Sequence, residues 1–226
     1  EKVTPHWRNF FEDGQVIDLY EEEHLMKKEI AKLAGDSQKN QEQFHRFLAY
    51  ARDQYKIIDQ GYFSAGLDTL WEFVKHYNLQ LTNGIMDYKN SMSQSIHQRI
   101  DDPHLRMIFE YFIKYVGSSA HDAPGYMNLM PIIQFDYGLW YVKGGMYNLA
   151  VGLGKLCGEL GIRVDLNSEV VQIEKSGRKV SGVKLANGEI ISADYVVCNM
   201  EVIPAYDKLL SEPPSFIKKI QKKFAP

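Results

Sequence analysis

Cysteine is scarce: Cys157 and Cys198 are the only two in 226 residues, and neither sits in a CxxC or Cys/His spacing. That excludes a disulfide framework and a zinc-finger-like module, and predicts buried thiols in a reducing compartment. No apolar run reaches the roughly eighteen residues that a spanning helix needs, so nothing here is predicted to cross a bilayer. No signal peptide is visible within the chain. Positive charge is not in excess either. Lys and Arg number 26 against 29 acids, a formal net charge of -3, so no basic field would recruit nucleic acid. Also missing are a Walker motif, a Ser-His-Asp constellation, a paired-carboxylate motif, metal-ligand spacing and any fixed-period repeat. The first residue is Glu, not Met, and the last are "KKFAP", which reads as an excised fragment.

What the chain does have is a core's worth of apolar residues, 45% of the total, with 14 Tyr and 11 Phe. Such a composition suits a globular protein and an apolar surface that needs a ligand or partner. "VTPHWRNFFEDGQVIDLY" predicts a hairpin closed at Asp13-Gly14, with Val16, Asp18 and Tyr20 alternating. "EEEHLMKKEIAKLAG" predicts a helix with acids first, lysines later and Gly35 as its stop. Asp36 caps the next helix, whose stripe is Phe44, Phe47, Leu48, Ala51, Tyr55 and Ile58. A further aromatic helix covers Leu67 to Tyr77. In "DDPHLRMIFEYFIKYVG", Asp102 is the cap, Pro103 stands in the first turn, and Leu105, Ile108, Phe109, Phe112 and Val116 form the stripe. Another helix begins near Pro124 and carries "GYMNLMPIIQF".

From Tyr137 the texture changes. Strand "GLWYV", Gly144-Gly145, a helix from Met146 to Leu160, and strands "IRVDL", "VVQIE", "VSGVKL", "EIISA" and "YVVCN" are expected, with turns at Ser176-Gly177 and Asn187-Gly188. The fold class is therefore α+β: a helical layer with a hairpin over 1–136, then a strand-helix-sheet segment over 137–226. "GLGKLCG" spells GxGxxxG from Gly152 to Gly158. Those glycines lie inside the helix, where backbone donors are already used, so close packing on a sheet is the expected role, not a phosphate cradle.

The ordered set "YGLWYVKGGMYNLAVGLGKLCGELGIRVDLNSEVVQIE", "VSGVKLANGEIISAD" and "VVCN", preceded by "FFEDGQVIDLY" and "DDPHLRMIFEYFIKYVGSSAHDAPGYMNLM", resembles the flavin amine-oxidase superfamily. Within it, the chain is most similar to bacterial carotenoid desaturases of the phytoene and diapophytoene type. The resemblance covers essentially the whole chain and implies a middle fragment, an α/β flavoprotein piece without the N-terminal GxGxxG unit or the C-terminal flavin segment. Region 1–136 would be substrate-binding, and 137–226 part of the FAD domain. FAD is the implied cofactor and an apolar carotenoid the implied substrate. Hydride transfer to flavin would desaturate the polyene, since the cofactor carries the hard step.

By position, the resemblance implies that Met146, Tyr147 and Asn148 face the flavin and the substrate. It implies that the Val170 backbone meets the adenine edge and that Asn199 returns the chain beneath the cofactor. No catalytic acid, base or metal ligand is assigned. His97, His104 and His121 read as surface or capping residues, and Asp87 and Lys89 as a solvated loop pair or polar groups near the tunnel. "WEFVKHYNLQL" and "MIFEYFIKYV" mix aromatics with Lys, as interfacial helices do. The implied location is cytoplasmic and peripheral at the membrane. The isolated chain is expected to be inactive and to hold flavin weakly. Alternatives are a carotenoid isomerase, saturase or oxygenase relative on the same scaffold, or a non-catalytic lipid-binding module.

Overall fold

The computed structural model describes residues 1–64, 66–67, 69–82, 84–210, 215, 219 and 222. Two compact units emerge, Glu1–Leu149 and Ala150–Pro226.

The first unit opens with an antiparallel pair, β1 (Trp7–Phe10) and β2 (Val16–Leu19), in the register Trp7↔Leu19 to Phe10↔Val16. Gly14 takes φ 84° in the turn, and Asp13 Oδ1 accepts the Gln15 amide at 3.0 Å. Ile17 and Leu19 face the core, and Asp18 is buried between them in sequence. Its carboxylate accepts two hydrogen bonds from Arg8 at 2.8 Å each, which offsets the cost of burial.

Helix α1 (Glu23–Ile30) buries Met26 and Ile30. Asp36 caps α2 (Ser37–Ile58) by accepting from the Gln38 and Lys39 amides. The α2 stripe buries Phe44, Phe47, Leu48, Ala51 and Ile58, whereas Tyr55 is only partly covered. It meets α5 (Pro103–Tyr111) and α6 (Met130–Tyr137) in an aromatic cluster. Phe47 and Phe109 centroids stand 4.2 Å apart, and Phe44 lies edge-on to Phe135 at 5.7 Å. Asp102 and Pro103 start α5 as expected. The stripe does not run straight to Val116. A 3-10 turn over Phe112–Tyr115 changes the period, so Phe112 stays buried and Val116 turns outward. The segment after Pro124 is likewise a 3-10 turn, Gly125–Leu129, before α6 begins.

Two further helices, α3 (Leu70–Thr82) and α4 (Met92–His97), complete the layer, the latter through a Ser91/Gln94 capping box. Between α2 and α3 the chain makes a π-helical turn over Asp59–Phe63. Gly61 is required there: a Cβ would fall 2.2 Å from the Tyr77 hydroxyl oxygen. That hydroxyl accepts the Tyr62 amide at 2.8 Å and donates to the Ile58 carbonyl at 3.3 Å.

"GLWYV" is not a strand. It makes one isolated bridge, Lys2↔Trp140. Gly144 (φ 81°) and Gly145 (φ 105°) then turn the chain into α7 (Tyr147–Glu159). No residue of α7 is buried, and a Cβ at Gly152, Gly154 or Gly158 would meet nothing within 4 Å. The expected close packing of these glycines is therefore not realised among the described residues.

The second unit is organised by an antiparallel meander: β3 (Val170–Ser176), β4 (Lys179–Leu185) and β5 (Ile190–Ser192). Gly177 and Gly188 close its two turns with positive φ. Ile173, Leu185 and Leu209 supply its small core. "IRVDL" and "YVVCN" are irregular, not strands, and Val197 is 97% exposed. Their β-branched and aromatic residues suit strands covered on both faces, but a ladder needs a neighbour. None is present among the described residues. The same lack of cover explains the cysteines: Cys157 is half-buried and Cys198 exposed, contrary to the expectation of buried thiols.

Candidate functional site

The helical unit contains an open apolar cleft of about 700 Å³. Ile58 ends α2 at its floor, the π turn contributes Tyr62 and Phe63, and α3 contributes Leu70 and Phe73. The opposite wall is Tyr126, Met127 and Leu129 of the 3-10 turn, followed by Met130 and Ile133 of α6. The volume lies in the range of natural small-molecule sites, and the lining has their apolar and aromatic character. Thr69 is the polar exception besides the tyrosines, and its hydroxyl is already bound to Glu72 at 2.9 Å.

A partly buried polar network holds one wall in place. The Asp87 carboxylate accepts from Tyr50 Oη at 2.6 Å, Ser95 Oγ at 2.5 Å and Asn90 Nδ2 at 3.0 Å. Its own amide donates to Gln54 Oε1, while its carbonyl accepts the Tyr126 amide at 2.6 Å. Tyr50 Oη also reaches the Gly125 carbonyl at 3.1 Å, and the Arg99 guanidinium lies 3.9 Å from the Tyr50 ring centroid. Burial alone would push the Asp87 carboxyl up. Ser95, Tyr50 and Asn90 as donors, with the Arg99 charge, outweigh it and hold the group below its ordinary value. Burial and the adjacent Asp87 raise the Tyr50 phenol. Gly125 leaves room for this arrangement, because a Cβ there would stand 2.6 Å from the carboxyl carbon of Asp87.

Asp87 is thus a half-buried anchor for the cleft wall, not half of a solvated loop pair, while Lys89 extends over the Tyr88 ring at 5.9 Å. His97 contacts Glu110 at 3.0 Å and His104 contacts Asp13 at 2.8 Å, both in structural roles; His121 is exposed. Met146 and Tyr147 stand exposed at the start of α7, and neither lines the cleft. Asn148 caps the Gly-Gly turn, donating from Nδ2 to the Lys143 carbonyl at 2.9 Å.

Val170 opens β3, whose partner on one side is β4 and whose other edge is open among the described residues. The Glu169 carbonyl accepts the Ala186 amide at 2.9 Å. By the alternation of an antiparallel ladder, Val170 then turns its own donor and acceptor to the open edge. A donor-acceptor pair on such an edge is available to a ligand. Asn199 lies in an irregular, exposed stretch.

Sequence patterns missed Tyr50, Tyr62 and Tyr126. The available signals were "DQGYF", a glycine interrupting a helical stripe, and "PGY", a glycine beside an aromatic in an apolar segment. Among the described residues no group of three His, Cys, Asp or Glu could hold a metal, and no helix is long and apolar enough to cross a membrane.

Comparison with known proteins connects these features. Residues 85–225, more than half of the chain, match the family described as flavin containing amine oxidoreductase. The chain is 49% identical over 222 residues to a 4,4'-diapolycopene oxygenase from a Methylomonas species, an alignment covering 98% of this chain and 44% of the relative. It is 40% identical over 226 residues to a 4,4'-diaponeurosporene oxygenase of Staphylococcus aureus strain USA300, covering 100% of this chain and 45% of the relative. The chain therefore spans less than half the length of the curated relatives it matches.

Proposed function

The chain belongs to the family of flavin-containing amine oxidoreductases, and we propose that it supplies the substrate-binding region and part of the FAD-binding domain of an enzyme that oxidises a long apolar polyene of the carotenoid type. The observation that carries this reading is the cleft: about 700 Å³, walled by aromatic and aliphatic side chains. A polyene offers nothing to hydrogen-bond along its length, so apolar walls and water exclusion are the recognition available to it. FAD, the family's cofactor, supplies the hydride acceptor when bound.

This chain's residues have the remaining tasks. Region 1–136 binds the substrate, and 137–226 contributes to the cofactor domain. The open-edge backbone of Val170 pairs with adenine, and Asn199 runs beneath the cofactor. Met146, Tyr147 and Asn148 line the substrate cavity beside the flavin in the complete enzyme. Leu70, 80% exposed on the cleft rim, and neighbouring Trp71, 74% exposed, rest on the membrane that delivers the substrate.

Desaturation, with loss of hydrogens from the chain, is the first form of the reaction. Oxygenation of the same class of substrate is the second, favoured by the names of the two relatives. Incubating the intact, FAD-loaded protein with diapophytoene-type and diapolycopene-type polyenes, followed by mass spectrometry, separates the two. A product lighter by hydrogens supports desaturation, and a product carrying new oxygen supports oxygenation. Unchanged polyene with flavin fully bound overturns both.

A further inference from the structure

A second cavity, of about 240 Å³, adjoins the apolar cleft. Met130 and Ile133, one turn apart on α6, line both spaces. The chain also passes between them at Tyr115, which lines the second cavity, and Val116, which lines the cleft. Gly138 and Leu139 belong to the second cavity alone. Met130 packs against both apolar clusters of the helical unit, the large one around α2 and α5 and the small one around Ile58 and Tyr77. What separates the two cavities is therefore one adaptable thioether side chain and one isoleucine.

A buried polar group marks the far side of that barrier. Gln134 lines the second cavity and is 4% exposed. Its Oε1 accepts from Trp7 Nε1 at 2.8 Å, with Tyr115 Oη at 3.4 Å. An indole N–H can only donate, so the amide oxygen must face Trp7 and the amide nitrogen is committed to the other direction. That Nε2 is buried and has no partner among the described residues. Water can serve such a donor, and 240 Å³ gives it room. Hydrocarbon filling the cavity would seal the donor off, and an unmet buried donor lowers affinity about five- to hundredfold.

We propose that Met130 and Ile133, backed by Gln134, set the length of polyene that the cleft accepts. This rests on the cleft being the polyene-binding site and goes beyond it by assigning the residues that measure the chain. A polyene that ends at the barrier stays in the cleft, among apolar walls. A longer one must displace Met130 and cover the Gln134 amide. The second cavity adds about a third to the cleft, 240 Å³ beside 700 Å³. A phytoene-type polyene of forty carbons exceeds a diapophytoene-type one of thirty by the same proportion, so this pair of hydrocarbons probes the barrier.

The test uses the intact, flavin-loaded protein with phytoene and the shorter diapophytoene. Each is transferred from detergent micelles to wild type, Met130→Ala, Ile133→Ala and the double variant Met130→Ala/Gln134→Leu, and bound polyene is quantified by chromatography. Flavin content and melting temperature are checked on every protein. Wild type should prefer the shorter polyene by at least about fivefold. Either single variant should narrow that ratio, and the double variant should bring it near one. A merely structural role would weaken both polyenes alike and leave the ratio unchanged. Ile133 is 40% exposed, so its truncation still gives the answer if Met130→Ala fails to fold. Equal affinity of wild type for both polyenes, or a preference that survives in every folded variant, overturns the assignment and leaves the cleft reading standing. If wild type binds neither, the cleft is not a polyene site and both readings fall.

Discussion

Replacing Asp87 with Ala tests whether the half-buried carboxylate organises the cleft wall. Three donors converge on it, from Tyr50 at 2.6 Å, Ser95 at 2.5 Å and Asn90 at 3.0 Å. Hydrogen bonds to a charged group are each worth about 1.5–3 kcal/mol, but removal also releases a partly buried charge. Tyr50 retains the Gly125 carbonyl at 3.1 Å, whereas the Ser95 hydroxyl, on a fully buried residue, is left without its acceptor. The net cost is therefore about 1–3 kcal/mol, the range for a buried polar group left without its partner. Asp87→Asn keeps the volume and one acceptor oxygen, and should cost about half as much. Urea titration of the intact protein reads the global effect. Hydrogen exchange at residues 85–95 and 125–130 reads the local one, which should appear as faster exchange confined to those segments. An Asp87→Ala variant within about 0.5 kcal/mol of wild type, with unchanged exchange at the Tyr126 amide, would refute the reasoning.

Gly61→Ala places a methyl 2.2 Å from the Tyr77 hydroxyl oxygen and 2.4 Å from its ring carbon, so the π turn must shift. A cost of about 1–3 kcal/mol in urea titration and weaker polyene binding are expected, and a neutral variant would show the close approach to be dispensable. His6 is 5% exposed and its imidazole is lowered from 6.5 by burial, with the Glu21 charge opposing and Lys2 adding. The unfolded chain therefore takes up a proton more readily than the fold does. Stability should fall as pH drops through 6.5 and towards the lower folded value, with a shallower fall in His6→Leu. Identical slopes for the two proteins between neutral pH and pH 5 would remove His6 from the explanation. Met146→Asp in the intact enzyme should abolish turnover with flavin retained, since an uncompensated carboxylate beside an apolar ligand costs several kcal/mol. Loss of flavin together with unfolding would assign Met146 to packing instead.

Local chemistry was readable along the chain. Asp36 and Asp102 cap helices because their side chains reach free amides one turn on, and Gly14, Gly177 and Gly188 mark turns because only they adopt the required φ cheaply. The α2 stripe was equally plain, as its spacing leaves one face to bury. Segments 139–143, 162–166 and 195–199 look like strands and are not, since strand formation depends on neighbours that no local pattern supplies. The cleft escaped for a related reason. Its walls come from segments far apart in sequence, and Tyr126 is selected by the Asp87 carbonyl and by the missing Cβ of Gly125, neither of which has a periodicity. Asp87 was misread as solvated because its three donors sit 37 residues before it and 3 and 8 residues after it.

The central claim is that this chain helps to pass hydride from an apolar polyene to flavin, and anaerobic mixing tests it most directly. The intact, FAD-loaded protein is combined with a diapophytoene-type polyene in the absence of oxygen, and the visible flavin band is followed alongside the mass of the extracted polyene. The account predicts that the band bleaches in step with the appearance of a product lighter by hydrogens. An oxidised flavin spectrum that persists beside bound, chemically unchanged polyene would contradict it.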